Sequence, residues 1–298
     1  MEDTGIHGNL WQWGLSLTIL YLLSCGEIGS VEPIQALRLE FIRSVRVGKG
    51  HPSVGRDAIV VINEDTVRAF TLTLSSLSIF RVKERDAYSM KVSGLYLSSD
   101  SCFYSLRIGR RYRYHLYFGV GETAFVEMFY GMGKCLEGDT GLVVLEYLPF
   151  PPGEIVDACG RYLLVVKRGL CGVYLYRRCR DRIYPVSTQP FYGECFIAPP
   201  YLYSFEHGLY LYSLDGRLLY SKDRVGVKVV GDSLVFGVYY PSPEERGIYG
   251  VFILKDDSLA FCPYDYILKG IIGTRGRNIY IFDGKELSLW HCSFFWEE

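Results

Sequence analysis

The sequence predicts an all-β fold built from a repeated hairpin, and three observations carry that expectation. First, Gly172–Tyr184, Gly208–Tyr220 and Gly250–Phe261 read as copies of one another. Each opens with Gly, runs through four apolar or aromatic residues, breaks at a polar turn and returns as a second apolar run. Their first residues lie 36 and 42 positions apart. Second, the chain holds 25 Tyr, 17 Phe and 32 Gly, a composition that favours strands joined by tight turns. Third, no stretch longer than about ten residues has helical periodicity.

The elements follow in order. Ala58–Ile62, a polar turn at Asn63-Glu64-Asp65, Thr66–Leu74 and Leu77–Val82 read as strand, turn, strand, turn, strand, from their alternation and β-branched content. Gly94–Leu97 and Cys102–Ile108 flank a turn at Ser98–Asp100. Arg113–Val120, Ala124–Tyr130 and Gly141–Leu148 are further strands, and Pro149–Gly153 is a turn-rich joint. Arg161–Val166, Tyr201–Phe205 and Ser233–Tyr240 each pair with the copied hairpin that follows. Asn278–Phe282 turns at Asp283-Gly284, a type I′ signal, into Glu286–Trp290. Arg38–Val47 reads equally as helix or strand. Residues 48–56 and Pro241–Arg246 are expected as exposed loops, the second inserted between two strands of one unit and projecting outward.

Hairpin units of this spacing resemble the β-propeller superfamily, WD40-like in the broad sense. The resemblance rests on the Gly-aromatic hairpins and covers most of the chain. The Gly-His and Trp-Asp signatures of true WD40 repeats are absent. It implies a closed propeller of six or seven blades, a single domain over residues 1–298, with less regular blades in 10–150 and clearer repeats in 155–298. It also implies a rigid disc with a central channel and loop-lined faces. Most WD40-like propellers are interaction platforms and some propellers are hydrolases or lyases, so the fold does not choose.

With 298 residues, 49% of them hydrophobic, the chain can bury a large core. A net charge of -1 gives no global attraction to nucleic acid or acidic lipid. Only three Asn (Asn9, Asn63, Asn278) and three Gln (Gln12, Gln35, Gln189) occur, a depletion that points to a thermophilic, archaeal-like source. The nine cysteines hold no close pair of the zinc-binding kind; the nearest two, Cys171 and Cys179, are eight apart. No metal and no cofactor is expected. The cysteines read as mostly buried thiols with one or two disulfides drawn from Cys159, Cys171, Cys179 and Cys195.

Leu10–Cys25 is the most hydrophobic segment and ends in a lipobox-like Leu22-Leu23-Ser24-Cys25. Glu2 and Asp3 precede it, and no Lys or Arg occurs before Arg38, whereas a signal peptide needs a basic n-region. The run is also short for a spanning helix. It reads as a buried strand, Leu17–Leu23, that pairs with the last blade and closes the ring. A cytoplasmic protein without membrane contact is therefore expected.

The candidate binding residues are Arg107, Arg110, Arg111, Arg113, His115 and Tyr117. In one extended strand, Arg111, Arg113, His115 and Tyr117 share a face. Such a row can contact phosphates and stack a base, bind an acidic protein, or serve as a solvated face that guards an edge. Arg177, Arg178, Arg180 and Arg182 form a second basic cluster, interrupted by Asp181. Gly119-Val120-Gly121 lacks a following helix, and Gly131-Met132-Gly133-Lys134 ends in Cys135 where a phosphate loop needs Ser or Thr. The five His are scattered and no Gly-x-Ser-x-Gly elbow occurs. Asp157, Glu194, Asp232 and Glu122 are the carboxylates placed to line a channel, as a propeller glycosidase would require. Three functions stand in order: a non-catalytic scaffold for a protein partner, a nucleic-acid-binding module using 107–117, and a propeller hydrolase.

Overall fold

The computed structural model describes residues 34–82, 90–167, 169–179, 182–206, 208–231, 234–242, 244, 246–255, 258–263 and 270–296. Among these residues, twenty-eight strands form seven four-stranded antiparallel sheets. The chain starts with β1 (Ile34–Arg46) and then builds blade 1 from β2 (His51–Val54), β3 (Ala58–Asn63), β4 (Thr66–Thr71) and β5 (Ser76–Arg81). Blade 2 is β6 (Lys91–Ser93), β7 (Tyr96–Ser98), β8 (Phe103–Ser105) and β9 (Arg111–Tyr112). Blade 3 is β10 (Leu116–Val120), β11 (Thr123–Met128), β12 (Gly131–Glu137) and β13 (Leu142–Leu148). Blade 4 is β14 (Glu154–Cys159), β15 (Tyr162–Val166), β16 (Val173–Cys179) and β17 (Arg182–Pro185). Blade 5 is β18 (Glu194–Ala198), β19 (Tyr201–Phe205), β20 (Gly208–Ser213) and β21 (Leu218–Asp223). Blade 6 is β22 (Val225–Val230), β23 (Leu234–Tyr239), β24 (Ile248–Lys255) and β25 (Ser258–Pro263). Blade 7 combines β26 (Ile271–Arg275), β27 (Asn278–Phe282) and β28 (Glu286–Trp296) with β1 as its outermost strand.

The core is divided among the blade interfaces. Among the described residues, seven clusters of buried residues occur, each drawn from two neighbouring blades. β3 shows why. Ala58, Val60 and Ile62 pack toward blade 2, while Ile59 and Val61 pack toward blade 7. A strand sandwiched between two blades is apolar at every position, and alternation only assigns each side chain to one neighbour. The copied hairpins occupy one structural place, the third and fourth strands of blades 4, 5 and 6. Their Leu175, Tyr176, Leu209, Leu211, Val251 and Phe252 are buried, so the repeat encodes packing.

Ring closure is by the N-terminal side of the chain, as expected, but with a different strand. β1 pairs antiparallel with β28 from Ile34–Trp296 to Arg46–Glu286. The helix-or-strand ambiguity at Arg38–Val47 thus resolves to the closing strand, and Leu17–Leu23 lies outside the described residues. Residues 48–56 are not an exposed loop. They contain β2, the innermost strand of blade 1. Pro241–Arg246 does connect two strands of one blade, β23 and β24. Among the described residues, no helix is long and apolar enough to cross a membrane.

Antiparallel order fixes two faces. One, termed upper here, carries the links between blades and the turns between second and third strands. The lower face carries the remaining turns.

Candidate interaction face and channel

A cavity of about 1400 Å³ opens on the upper face over blades 2 to 4 and runs into the channel. His115, Tyr117, Phe150, Glu154, Lys167 and Leu170 line its mouth. Arg56, Asp157, Phe196 and Arg275 form its floor. Arg56 Nη2 lies 2.7 Å from Asp157 Oδ2 and also donates to the Ile197 carbonyl. That ties blade 1 to blades 4 and 5 across the ring. Asp157 further accepts the Ile197 and Ala158 amides, each at 2.8 Å. Arg275 donates to the Gly55 and Thr274 carbonyls at 2.9 and 2.8 Å. Both guanidinium groups face the Phe196 ring, at 4.6 and 6.0 Å from its centre. The floor is a latch of mutually satisfied groups.

Of the four carboxylates expected near the channel, Asp157 lines it. Its oxygens are occupied by donors, so it is poorly placed to exchange a proton with a substrate. Glu122 pairs with Arg107 at 2.8 Å on the lower face, Glu194 is exposed at the start of β18, and Asp232 lies outside the described residues. Among the described residues, no group of three or more His, Cys, Asp and Glu gathers.

The basic-aromatic strip does not form one strand. β9 ends at Tyr112 and β10 begins at Leu116, so the segment passes from the outer edge of blade 2 to the inner edge of blade 3. The alternation expected from an unbroken strand is lost at 113–115. Arg107 and Arg110 remain on the lower side. Arg110 donates to the Gly138 and Asp139 carbonyls at 3.2 and 2.9 Å. Nearby, Ser105 Oγ and Tyr112 Oη each donate to Glu137 at 2.7 Å. Burial and that bond push the Tyr112 hydroxyl up to about 12. Arg111 is half-buried in β9. Arg113 is exposed on the link between blades, and His115 and Tyr117 reach the cavity mouth. There, His115 Nδ1 lies 3.0 Å from the Asp100 carbonyl and its ring meets Tyr117 edge-on. In the second basic cluster, Arg178 is drawn between blades, its guanidinium 4.5 Å above the Phe125 ring, and burial lowers its pKa.

Residues beyond the strip complete the upper face. Phe129 and Tyr130 are 87% and 86% exposed and touch edge-to-face at 4.7 Å between ring centres. They form the turn between β11 and β12. The next residue, Gly131, packs against the Leu148 carbonyl and Pro149, which sets the turn beside Phe150. Tyr114, Phe150 and Leu170 are also exposed on this face. The sequence reading extended the strand through Tyr130 and so did not single out either aromatic. The dipeptide before Gly131, where the strand turns, was the available signal.

Of the four cysteines expected to supply disulfides, Cys171, Cys179 and Cys195 are unbridged in this structure. Cys171 precedes β16 on the upper face and Cys179 ends that strand on the lower. Seven residues of strand hold them about 20 Å apart. Cys159 ends β14 on the lower face, and Cys195 lies near the upper end of β18. Burial pushes the Cys195 thiol up to about 11, leaving about a thousandth of it as thiolate at pH 8. In the native protein at pH 8, iodoacetamide is expected to label exposed Cys171 first and Cys195 far more slowly. Peptide mass mapping over time reads this order; equal rates at the two sites would contradict it.

Comparison with known proteins adds fold-level likeness. Hsv2 of Kluyveromyces lactis is 10% identical, with a TM-score of 0.47, over 84% of this chain and 98% of that one. PorZ, an essential surface component of the type-IX secretion system of Porphyromonas gingivalis, is 11% identical with a TM-score of 0.46. That match covers 87% of this chain and 39% of PorZ. Neither likeness bears on what this chain binds. No family profile matches the chain, and no curated protein sequence matches it. The seven four-stranded sheets, joined blade to blade and closed by β1, give the chain a seven-bladed β-propeller fold.

Proposed function

We propose that the chain is a non-catalytic scaffold that holds a protein partner on its upper face, over blades 2 to 4. The Phe129–Tyr130 pair carries this reading. Two aromatic side chains held rigidly in a tight turn and left almost wholly in water are costly unless something covers them. Interface hot spots are enriched in such anchors. The cavity mouth beside them supplies a concave rim of mixed charge, with Glu154 and Lys167. That mixture suits a protein surface better than a phosphate backbone. The divided strip also favours a protein partner over nucleic acid, because its arginines do not form one continuous row.

The test is affinity capture from the native source with wild type, a Phe129→Ala/Tyr130→Ala double variant, and an Arg81→Ala control on blade 1. A partner retained by the wild type and the control is expected to bind the double variant about 30-fold more weakly, the loss of roughly 2 kcal/mol typical of a hot spot. Equal capture by all three would overturn the reading. So would tight, salt-sensitive binding of single-stranded RNA or DNA in an anisotropy titration.

A further inference from the structure

The outer strand of blade 3 stands apart from the other blade rims. β13 runs seven residues, Leu142-Val-Val-Leu-Glu-Tyr-Leu148, at the free edge of its sheet. Among the described residues, no other strand pairs with that edge. Val143, Leu145 and Tyr147 are 51%, 53% and 64% exposed. The strand's one charge, Glu146, turns back to Lys134 at 3.5 Å. Four of the other rims carry the usual defences against stray pairing. β9 has two residues, β17 and β25 end in proline, and β21 ends in Ser-Lys-Asp.

We propose that β13 is a self-association edge and that its occupant is a second copy of this chain, paired antiparallel about Leu145. The sequence is self-complementary in that register. Val143 falls opposite Tyr147, Leu142 opposite Leu148, Val144 opposite Glu146 and Leu145 opposite itself. Apolar side chains meet across the two-fold, and no like charges face each other. Leu145 is also the extra residue of a bulge, where β13 slips register against Lys134 and Cys135. The two bulges therefore coincide on the axis and leave a regular arm on either side. The pairing is closed, because the other edge of the blade, β10, lines the channel. A two-fold axis that reverses strand direction also turns one disc over relative to its neighbour. The two upper faces then look in opposite directions, which makes the assembly bivalent. One strand edge and three side chains fall short of the roughly 800 Å² per partner of a stable interface, so the dimer is expected to form in the micromolar range.

Sedimentation velocity of the full chain from about 1 to 200 µM is expected to shift the mass from 34.0 kDa to twice that value. Leu145→Lys, an edge-guarding charge, should hold it at 34.0 kDa. Ile79→Lys, on the outer strand of blade 1, should leave the dimer intact. Because position 145 faces itself, Leu145→Cys should give an oxidised dimer band on a non-reducing gel, whereas Val143→Cys and Ile79→Cys should not exceed wild type. Should Leu145→Lys fail to fold, the cysteine pair decides. A wild type monomeric throughout, a dimer that survives Leu145→Lys, or cross-linking at 145 no stronger than at 79 would each overturn the proposal.

Discussion

Replacing Asp157 with alanine is expected to lower the stability of the ring by about 3 kcal/mol and its melting temperature by roughly 6 °C. The carboxylate accepts Arg56 at 2.7 Å and the Ile197 and Ala158 amides at 2.8 Å each. Its side chain and that of Arg56 are only 18% and 21% exposed. Alanine would strand a guanidinium and the Ile197 amide with little water to replace the lost acceptor. The reverse deletion is milder. Arg56→Ala leaves Asp157 with its two amide donors, so a loss of about 1.5 kcal/mol is expected. Urea denaturation followed by fluorescence reads both, and the double variant should lose less than the sum of the single losses. Equal losses for the two single variants, or a loss below about 1 kcal/mol for Asp157→Ala, would show that the latch does not hold the ring. Partner capture should be unchanged, since the latch lies at the floor and the aromatic pair on the upper face.

That separation bears on function. A propeller with an open channel can admit a ligand from either face. Here the Arg56–Asp157 pair, Arg275 and Phe196 line the lower part of the cavity, whose mouth lies on the upper side. The same contacts join blades that are far apart around the ring. The latch therefore contributes to the stability of the ring rather than to the binding surface itself.

What could be read in the sequence follows from burial. β3, β15, β19, β23 and β27 are second strands, sandwiched between neighbouring blades, and each stood out as a continuous apolar run. The Gly-led third and fourth strands of blades 4 to 6 were equally clear. The innermost strands were not. β2 is His-Pro-Ser-Val, and it looked like a loop because one edge faces the channel and it has little apolar surface to offer. β6, β18, β22 and β26 are similarly short, mixed or Gly-containing. Since the channel is built from these strands, the latch was invisible: Arg56 and Asp157 are 101 positions apart and meet only when the ring closes. Asp157 was named for the right place but with no partner. The strip misled for the opposite reason. Its alternation looked regular through 113–115, where the chain in fact leaves one blade for the next.

Gly119→Ala is expected to be the more damaging of two inner-strand substitutions, and Gly119→Val to prevent the native ring. Consecutive inner strands converge on the channel and approach most closely where one of them has no side chain. A Cβ on Gly119, in β10, would collide with the Ser93 carbonyl oxygen of β6 and meet the Tyr96 ring at 2.9 Å. The Gly119 amide also donates to Ser93 Oγ at 2.8 Å, so the two strands cannot part without losing that bond. A Cβ on Gly273, in β26, would instead meet the Val54 side chain of β2 at 2.5 Å. Rotation leaves the Val54 Cβ in place, so four-residue β2 itself must shift, but the Gly119 approach is the closer one and its two strands are tied by the Ser93 Oγ bond. Overpacking therefore should cost about 3 kcal/mol or more for Gly119→Ala and about 1–2 kcal/mol for Gly273→Ala. Gly121 is the control. It sits at φ +52 with nothing within 4 Å of its Cβ position, so alanine there should cost only about 1 kcal/mol of backbone strain. Thermal melts of the three alanine variants give the order directly. If Gly119→Ala melts no lower than Gly121→Ala, close approach of the inner strands is not what sets the blade spacing.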